Sequence, residues 1–245
     1  MRMRAVFITG TDTGVGKTMV AGLLARYLRA QGHQAVTQKW VQTGTCDFPS
    51  DLPTHLDLMD VKREAFQAYE ADMNPYALEL AASPHLAAAH ENIRIDTRKI
   101  VASFRRLSRR FDTVIVEGAG GILVPLNRKK LFVDLVESLA LPVVVVAANK
   151  LGAINHTLLT LEALRRRSIT VLGVVFNTLD RQQDEIVLRD NPKIVHAFAR
   201  TPILGQLPWS TDFKRLYHDF EPVAKRIWLE YARTQRSESV DRKGP

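Results

Sequence analysis

The sequence predicts a three-layer α/β fold, in which a mostly parallel sheet carries helices on both faces. Short apolar runs alternate with segments of helical periodicity along the whole chain, which is typical of strands joined by crossover helices. Several of the apolar runs are nearly continuous in Val, Ile and Leu, as expected for strands covered on both faces. A glycine-rich loop separates the first apolar run from the first helix, in the context that a phosphate-binding loop requires.

The same patterns place the individual strands and helices. Strands are expected at residues 5–9, 34–39, 113–117, 143–148, 171–177 and, more briefly, 203–204. Helices are expected at residues 17–30, 54–62, 84–90, 97–109, 133–138, 155–167, 184–199 and 213–231. Ser83 followed by Pro84 indicates a helix N-cap with proline at the first helical position.

Residues 1–235 are interpreted as one domain, because the chain shows no internal repeat and no linker, and residues 236–245 as a polar, flexible tail. Residues 46–95 are the least regular stretch and are expected to form an insertion beside the site. A composition of 46% hydrophobic and 24% charged residues excludes a mostly disordered or collagen-like chain. The single cysteine, Cys46, excludes an intramolecular disulfide framework and a multi-cysteine zinc site.

Neither a membrane nor a nucleic acid is expected as a partner, and a cytoplasmic location is expected. The longest apolar run, residues 139–148, contains a proline and is about half as long as a membrane-spanning helix must be. The basic N-terminus leads directly into the glycine-rich loop without a cleavage site, which predicts a buried strand rather than a signal peptide. The formal net charge is +8. However, the arginine runs at 105–106, 109–110 and 165–167 are expected to form solvated helix faces without interleaved aromatic residues.

The segment from Gly10 to Thr18, Gly-Thr-Asp-Thr-Gly-Val-Gly-Lys-Thr, carries the strongest functional signal. Gly14 and Gly16 allow the backbone amides to approach phosphate oxygens without a Cβ in the way. The helix that follows points the positive end of its dipole at the same anion. The segment therefore predicts nucleotide binding.

Two side chains complete this loop. Lys17 supplies a mobile cation for the terminal phosphate oxygens, and Thr18 supplies a hydroxyl where Mg²⁺ would bind. The usual pattern has a glycine where this chain has Thr11, with Gly10 one residue earlier, so the loop is a variant form. The nucleotide-binding residues expected here are Gly14, Val15, Gly16, Lys17, Thr18 and Met19.

An acid ends the strand expected at 113–117 and is followed by a glycine turn. In phosphate-loop folds a carboxylate at the end of such a strand helps to hold Mg²⁺. Glu117 is therefore a candidate metal ligand. Gly118, Ala119 and Gly120 are candidate nucleotide contacts, since glycines let the backbone pass close to phosphate or substrate.

Two asparagines are candidates for contacts with the nucleotide base. The segment Asn149-Lys150-Leu151-Gly152 is similar to the Asn-Lys-x-Asp motif that reads guanine in GTPases. Because Gly152 stands where the aspartate is needed, guanine specificity is not expected. Asn177 ends the strand at 171–177, and its amide offers a donor and an acceptor to adenine; a turn-forming asparagine is the alternative.

Further candidates follow two other strands. Lys39 lies at the expected carboxyl end of the second strand, which faces the ligand crevice in open α/β sheets. Its charge would offset the charge that develops during phosphoryl transfer, although a surface lysine fits the sequence equally well. Thr43 is a hydroxyl on the same loop. Asn155 is expected to open a helix that could seat a carboxylate or to act as a plain N-cap.

Several motifs occur together, in order, over residues 4–210. They are residues 10–18, Lys39 to Gly44, Asn74-Pro75-Tyr76, Ser83-Pro84-His85, Val116 to Gly121, Lys150 to His156, Asn177 and Leu204 to Trp209. This set resembles the dethiobiotin synthetase family of ATP-dependent enzymes in biotin biosynthesis. The phosphate loop is shared with many ATPases, whereas Glu-Gly-Ala-Gly-Gly and Lys-Leu-Gly-x-Ile-Asn-His are more particular to this family.

The resemblance implies a phosphate-loop NTPase fold and a defined reaction. In this reaction 7,8-diaminononanoate, CO₂ and ATP give dethiobiotin, ADP and phosphate. One substrate amine captures CO₂ as a carbamate, ATP phosphorylates the carbamate, and the neighbouring amine closes the ureido ring. The nucleophiles come from the substrate, so positioning and charge neutralisation are the expected contributions of the protein.

The resemblance also implies roles for the charged residues. Lys17 and Lys39 would clamp carbamate and phosphates, with Lys39 as the active-site lysine. Thr18, Glu117 and an aspartate would bind Mg²⁺. Asp51 fits the Ser-Asp pair of the family, whereas counting back from Asn74 favours Asp57; Asp51 is taken as the metal ligand.

The family's substrate and adenine contacts can be assigned in the same way. Thr43 would contact the diamine, while Asn177, Pro208 and Trp209 would hold adenine. The family is homodimeric, and the helix start of one subunit would hold the substrate carboxylate bound to the other; its residues are Gly152, Ala153, Ile154 and Asn155. Trp40 stands where the family commonly has proline, which predicts a differently shaped loop.

The alternative is a nucleotide-switched partitioning or regulatory ATPase of related fold. Such switches usually carry a signature lysine near position 11, where this chain has Thr11, and often end in an amphipathic membrane helix. An amide-forming synthase of a related family is a third possibility. It would normally bring a glutaminase domain, for which this chain is too short.

Overall fold

The computed structural model describes residues 4–45 and 51–241, which are organised around a parallel sheet. Residues 1–3, residues 46–50 (with Cys46 and Ser50) and residues 242–245 lie outside the described residues. The strands are β1 (Ala5–Gly10), β2 (Ala35–Lys39), β3 (Thr113–Gly121), β4 (Pro125–Asn127), β5 (Lys130–Leu131), β6 (Val143–Ala148), β7 (Val171–Asn177) and β8 (Ile203–Leu207). The helices are α1 (Lys17–Ala30), α2 (Asp51–Met59), α3 (Glu70–Met73), α4 (Pro84–His90), α5 (Thr97–Arg110), α6 (Phe132–Ser138), α7 (Ala153–Arg166), α8 (Glu185–Ala199) and α9 (Phe213–Asp241).

The main sheet has six strands in the order β2-β3-β1-β6-β7-β8, and every neighbouring pair is parallel. Helices flank it, so the strands are buried on both faces; every residue of β1, β2 and β6 is buried. This confirms the predicted α/β class. The strand order reverses direction at β1, which lies between β3 and β6, and ligands bind outside the carboxyl ends of the strands at such a point.

Three local features differ from the predictions around the sheet. β3 continues to Gly121 instead of turning after Glu117, because Gly121 pairs with Gly10 of β1. The short antiparallel hairpin of β4 and β5 was not predicted, since its strands are too short to show a period. α2 begins at Asp51, earlier than the start predicted at residue 54.

Two helix ends also differ. α7 begins at Ala153 after Gly152, which caps it with a left-handed φ of 87°, so Asn155 lies inside the first turn and is not the N-cap. The glycine takes this position because side chains rarely adopt that conformation. α9 runs past the predicted end at Tyr231 to Asp241, into the segment expected to be a tail.

Aromatic side chains fill the centre of the core. The largest fully buried ones are Trp40, Phe7, Phe132, Phe176 and Phe220. The arginine runs lie on exposed helix faces, as expected, but several also make tertiary contacts, such as Arg106 with Asp72. Among the described helices, none is both long and apolar enough to cross a membrane.

Candidate active site

The candidate residues meet at the carboxyl edge of the sheet because of its register. Lys39, the last residue of β2, is the register partner of Glu117 on β3, and Glu117 is in turn the partner of Ile8 on β1. The phosphate loop leaves β1 two residues beyond Ile8, after Gly10. The sheet therefore places the second lysine, the acid and the loop side by side.

The phosphate loop is braced from β7. The side-chain amide Nδ2 of Asn177 donates to the carbonyl oxygen of Val15 at 3.0 Å. Gly16 has a φ of 99°, and a Cβ there would lie 2.2 Å from the same nitrogen. Asn177, considered for adenine from the sequence, therefore also supports the loop, a role that the sequence pattern did not reveal.

Lys17 is folded back onto the loop. Its Nζ donates to the carbonyl oxygen of Asp12 at 2.9 Å, and its side chain is buried. Burial and the nearby charge of Lys39 lower the pKa of Lys17 from 10.5 to about 8. An anion at the loop would favour the charged form of this lysine, because phosphate would neutralise the crowding of two cations.

Lys39 lies between two carboxylates. Its Nζ is 2.6 Å from Oε1 of Glu117 and 2.7 Å from Oδ2 of Asp51, and it also donates to the carbonyl oxygen of Gly118 at 3.1 Å. Burial alone would lower the pKa of Lys39, but the two carboxylates outweigh burial and raise its pKa above the ordinary value. Lys39 is thus a buried, charged ammonium rather than a surface lysine.

Thr18 joins the same cluster. Its Oγ1 lies 3.0 Å from Oε1 of Glu117 and 3.3 Å from Oδ1 of Asp51. The start of α2 is held in place by Gln42, whose Oε1 accepts from the amide of Asp51 at 3.3 Å. Asp57, the other candidate aspartate, is exposed on the solvent side of α2. Only Asp51 of the two is therefore brought to Thr18.

The oxygen atoms of this cluster fit Mg²⁺. Two carboxylates and a hydroxyl converge, and Mg²⁺ is usually held by one or two carboxylates together with substrate phosphates and water. The described residues contain no group of three or more His, Cys, Asp or Glu side chains suited to holding a metal ion. A cation here would therefore depend on phosphate oxygens as well, as in phosphate-loop proteins.

A histidine that sequence reasoning missed contacts the acid of this cluster. Nε2 of His55 lies 2.7 Å from Oε2 of Glu117, and both side chains are buried. Burial alone would raise the pKa of Glu117, but Lys39 and then His55 hold it far below its usual range. Glu117 is therefore a carboxylate that accepts at both of its oxygens.

Trp40 follows Lys39 and is held by both its backbone and its ring. Its backbone amide donates to the carbonyl oxygen of Glu117 at 3.3 Å, a bond that proline cannot make. Its ring is fully buried against Phe7, with centroids 4.9 Å apart, and against Phe132. Thr43, further along, is half-buried on the same loop.

The residues considered for adenine also come together. Asn177 is the register partner of Leu207 at the end of β8, and Pro208 and Trp209 follow directly. The guanidinium of Arg181 lies 4.0 Å from the centre of the Trp209 ring. Asn149, from the segment similar to the guanine motif, is buried and bonded to α8, so it serves packing.

The residues expected to hold the substrate carboxylate lie at the start of α7, beyond the end of β6. Gly152 and Asn155 are exposed, Ile154 is half-buried and Ala153 is buried. Leu151, next to them, has 85% of its surface exposed. The helix start therefore faces solvent in this chain.

Comparisons with known proteins agree with this arrangement. A family described as an AAA domain matches residues 4–215. The chain is 38% identical to the ATP-dependent dethiobiotin synthetase BioD of Halalkalibacterium halodurans, over 97% of this chain and 98% of that protein. It is 40% identical to the protein of the same name from Chlorobaculum tepidum, over 85% of this chain and 86% of that one.

Solved structures show the same fold. The cell division ATPase MinD of Pyrococcus furiosus matches with a TM-score of 0.55 and 16% identity, over 91% of this chain and 98% of that one. A ParA of pNOB8 bound to nonspecific DNA matches with a TM-score of 0.56 and 13% identity, over 96% and 99%. At these identities the likeness extends to the fold alone.

A nucleotide cradle at the switch point of a parallel sheet, with a buried acid beside it, defines a phosphate-loop NTPase. Within that class, the identity to curated relatives decides the family. The chain belongs to the ATP-dependent dethiobiotin synthetase family and is an ATP-dependent ligase.

Proposed function

We propose that the protein carboxylates 7,8-diaminononanoate and closes its ureido ring, with CO₂ and ATP as co-substrates and Mg²⁺ as cofactor, to give dethiobiotin, ADP and phosphate. The family membership supports this reaction. The observation that carries it is the position of Lys39, a buried ammonium next to the phosphate loop and within 2.7 Å of two carboxylates.

The chemistry follows from the charges. One amine of the substrate attacks CO₂ and loses a proton, which forms a carbamate. A carbamate oxygen attacks the γ-phosphorus of ATP, the bond from that phosphorus to the bridging oxygen breaks, and ADP leaves. The second amine then attacks the carbamoyl carbon, and phosphate leaves with the carbon–oxygen electron pair while the amine loses a proton.

The charged and polar side chains of the site each contribute to these reaction steps. Lys17 and Lys39 attract the carbamate and phosphate oxygens and offset the charge that accumulates as the phosphoryl group moves. Thr18, Asp51 and Glu117 would hold Mg²⁺, which supplies further positive charge at the phosphates. No general base is needed beyond solvent, because the protein's contribution is mainly the alignment of the reacting groups.

The test uses the purified full-length chain with diaminononanoate, ¹³C-bicarbonate and ATP in the presence of Mg²⁺. We expect dethiobiotin that carries the label in its ring carbonyl, and one ADP formed for each ring. Omission of the diamine should suppress ADP formation. ATP turnover without labelled product would contradict the proposal.

We also propose a homodimer in which the start of α7 reaches the partner's site. Exposed apolar side chains around this helix support it, with Leu151 at 85% and Leu159 at 61% exposure. Sedimentation of the wild type should report a dimer and that of a Leu159→Glu variant a monomer. The monomer should bind ADP normally but show a raised KM for the diamine.

The partitioning-ATPase alternative draws only on fold similarity at low identity. Position 11 is threonine rather than the lysine that such switches usually carry. A DNA mobility shift that depends on nucleotide and falls with salt would favour this alternative over the ligase.

A further inference from the structure

His55 is the one polar side chain among the buried side chains of α2. The other buried side chains of α2 are leucines and a methionine, namely Leu52, Leu56, Leu58 and Met59. If packing alone decided this position, another leucine would serve it without a polar atom. The presence of a histidine therefore indicates that its polar atoms have a role at this position.

The second ring nitrogen of His55 makes this histidine unfavourable for the stability of the fold. Nδ1 of His55 is buried and has no hydrogen-bond partner among the described residues. A buried polar atom without a hydrogen-bond partner destabilises the folded protein. Such a group in a native structure needs an explanation, and among the described residues the polar contact of His55 is made by its other nitrogen, Nε2, to Glu117.

The contact has a defined direction. A carboxylate oxygen accepts, so Nε2 of His55 is the donor and Oε2 of Glu117 the acceptor of this 2.7 Å contact. Oε1 of the same carboxylate accepts from Thr18 and Lys39. His55 therefore occupies one oxygen of Glu117 and leaves the other directed at the cluster.

The geometry of α2 links this contact to the proposed cation site. Asp51 and His55 are four residues apart on one helix and so lie on the same face. The first reaches Thr18 and Lys39, and the second reaches Glu117. One helix thus carries both a carboxylate of the site and the histidine that contacts the other carboxylate.

We propose that His55 is a positioning residue that fixes the Glu117 carboxylate for divalent-cation binding. This inference rests on the proposed function, since it assumes that Glu117 and Asp51 hold the cation. Groups that orient metal ligands through hydrogen bonds commonly change metal affinity by roughly 10- to 100-fold when removed.

The experiment measures binding rather than turnover. ADP affinity is determined by calorimetry without metal and with Mn²⁺ as the probe, for the wild type and for His55→Gln, His55→Met and Asp57→Asn. Glutamine keeps an N–H donor, whereas methionine keeps similar volume without one. Asp57→Asn is the matched control, because Asp57 lies on the exposed face of the same helix.

We expect His55→Met to lose about 10-fold or more of the Mn²⁺-dependent gain in ADP affinity. Its metal-free ADP affinity should stay within about twofold of the wild type, and His55→Gln should retain most of the gain. In a Glu117→Gln background, His55→Met should cause no further loss, because the two residues act as one unit.

Four results would overturn the inference. Equal losses for His55→Gln and His55→Met, or a loss that adds fully to that of Glu117→Gln, would show that His55 does not act through its donor. An unchanged Mn²⁺-dependent gain in His55→Met would show that it does not position the site. If the wild type itself shows no such gain, the cation site of the proposed function fails, and the inference fails with it.

Discussion

The amide of Asn177 and the α-carbon of Gly16 are packed so closely that a methyl group on Gly16 would lie 2.2 Å from Nδ2. The same nitrogen donates to the carbonyl oxygen of Val15. The end of β7 thus holds the phosphate loop through a contact that only glycine permits.

Gly16→Ala should therefore weaken nucleotide binding. The Cβ would displace Asn177 and also force alanine into a left-handed conformation, with φ near 99°. We expect ADP affinity to fall by at least about tenfold, which corresponds to roughly 1.4 kcal/mol. Gly14→Ala is the control, because Gly14 has a positive φ but open space around it. Equal effects of the two changes on ADP binding would contradict this account.

Lys39→Gln should reduce turnover far more than nucleotide affinity. The ammonium of Lys39 lies with Glu117 and Asp51 beyond the loop, so its charge is needed chiefly as the phosphoryl group moves. We expect kcat to fall roughly 10²- to 10³-fold, with ADP affinity changed by less than about fivefold. A parallel loss of both in calorimetry and steady-state assays would argue against the role.

The affinity for ATP should fall as the pH rises through about 8. In the free protein, burial and Lys39 depress the pKa of Lys17 to about 8, and bound phosphate should raise it again. Binding at pH 8 therefore takes up about half a proton, which calorimetry in buffers of different ionisation enthalpy measures. Lys17→Arg, which stays charged, should show no uptake.

The lowered pKa of Lys17 should make the free energy of unfolding rise with pH above about pH 8. Below pH 8 Lys17 is charged in both the folded and the unfolded chain, so the folded state bears the full cost of burying the charge. Between pH 8 and 10.5 the unfolded chain binds more protons at Lys17 than the folded chain does, so this cost falls as the pH rises. The stability of Lys17→Met relative to the wild type should therefore be greatest below pH 8 in urea titrations. A difference that does not change with pH would contradict this.

Trp40→Pro, which introduces the residue common in the family, should destabilise this protein. Proline removes the bond from the Trp40 amide to Glu117 and leaves space beside Phe7 and Phe132. Large-to-small changes of this kind cost about 3–5 kcal/mol in free energy of unfolding. Trp40→Phe, which keeps a ring and the amide, should lose clearly less in urea denaturation, and an equal loss would contradict the packing argument.

The sheet was the most predictable part of the molecule. β6 and β7 were predicted to their last residues, because continuous β-branched runs leave few alternatives. The phosphate loop was equally evident, since its glycines, lysine and threonine lie within a few positions of one another. The hairpin of β4 and β5 was missed because its strands are shorter than any readable period.

His55 was missed for a different reason. Its contact with Glu117 joins residues 62 positions apart and depends on where α2 begins. The predicted start at residue 54 put His55 in the first turn, so its alignment with Asp51 on one face was not evident. The support that Asn177 gives to the phosphate loop depends likewise on a contact across 162 positions.

Lys39 and Glu117 are register partners on adjacent parallel strands, although 78 positions separate them. Contacts of such high sequence separation form slowly, because closing the long intervening loop costs entropy before the contact is made. A proteolytic fragment that carries only β2 or only β3 cannot form the ion pair of Lys39 and Glu117. A partly folded chain in which these strands are not yet paired lacks the ion pair as well. Regain of activity during refolding should therefore track the closure of the sheet, and catalytic competence should arrive in a single step.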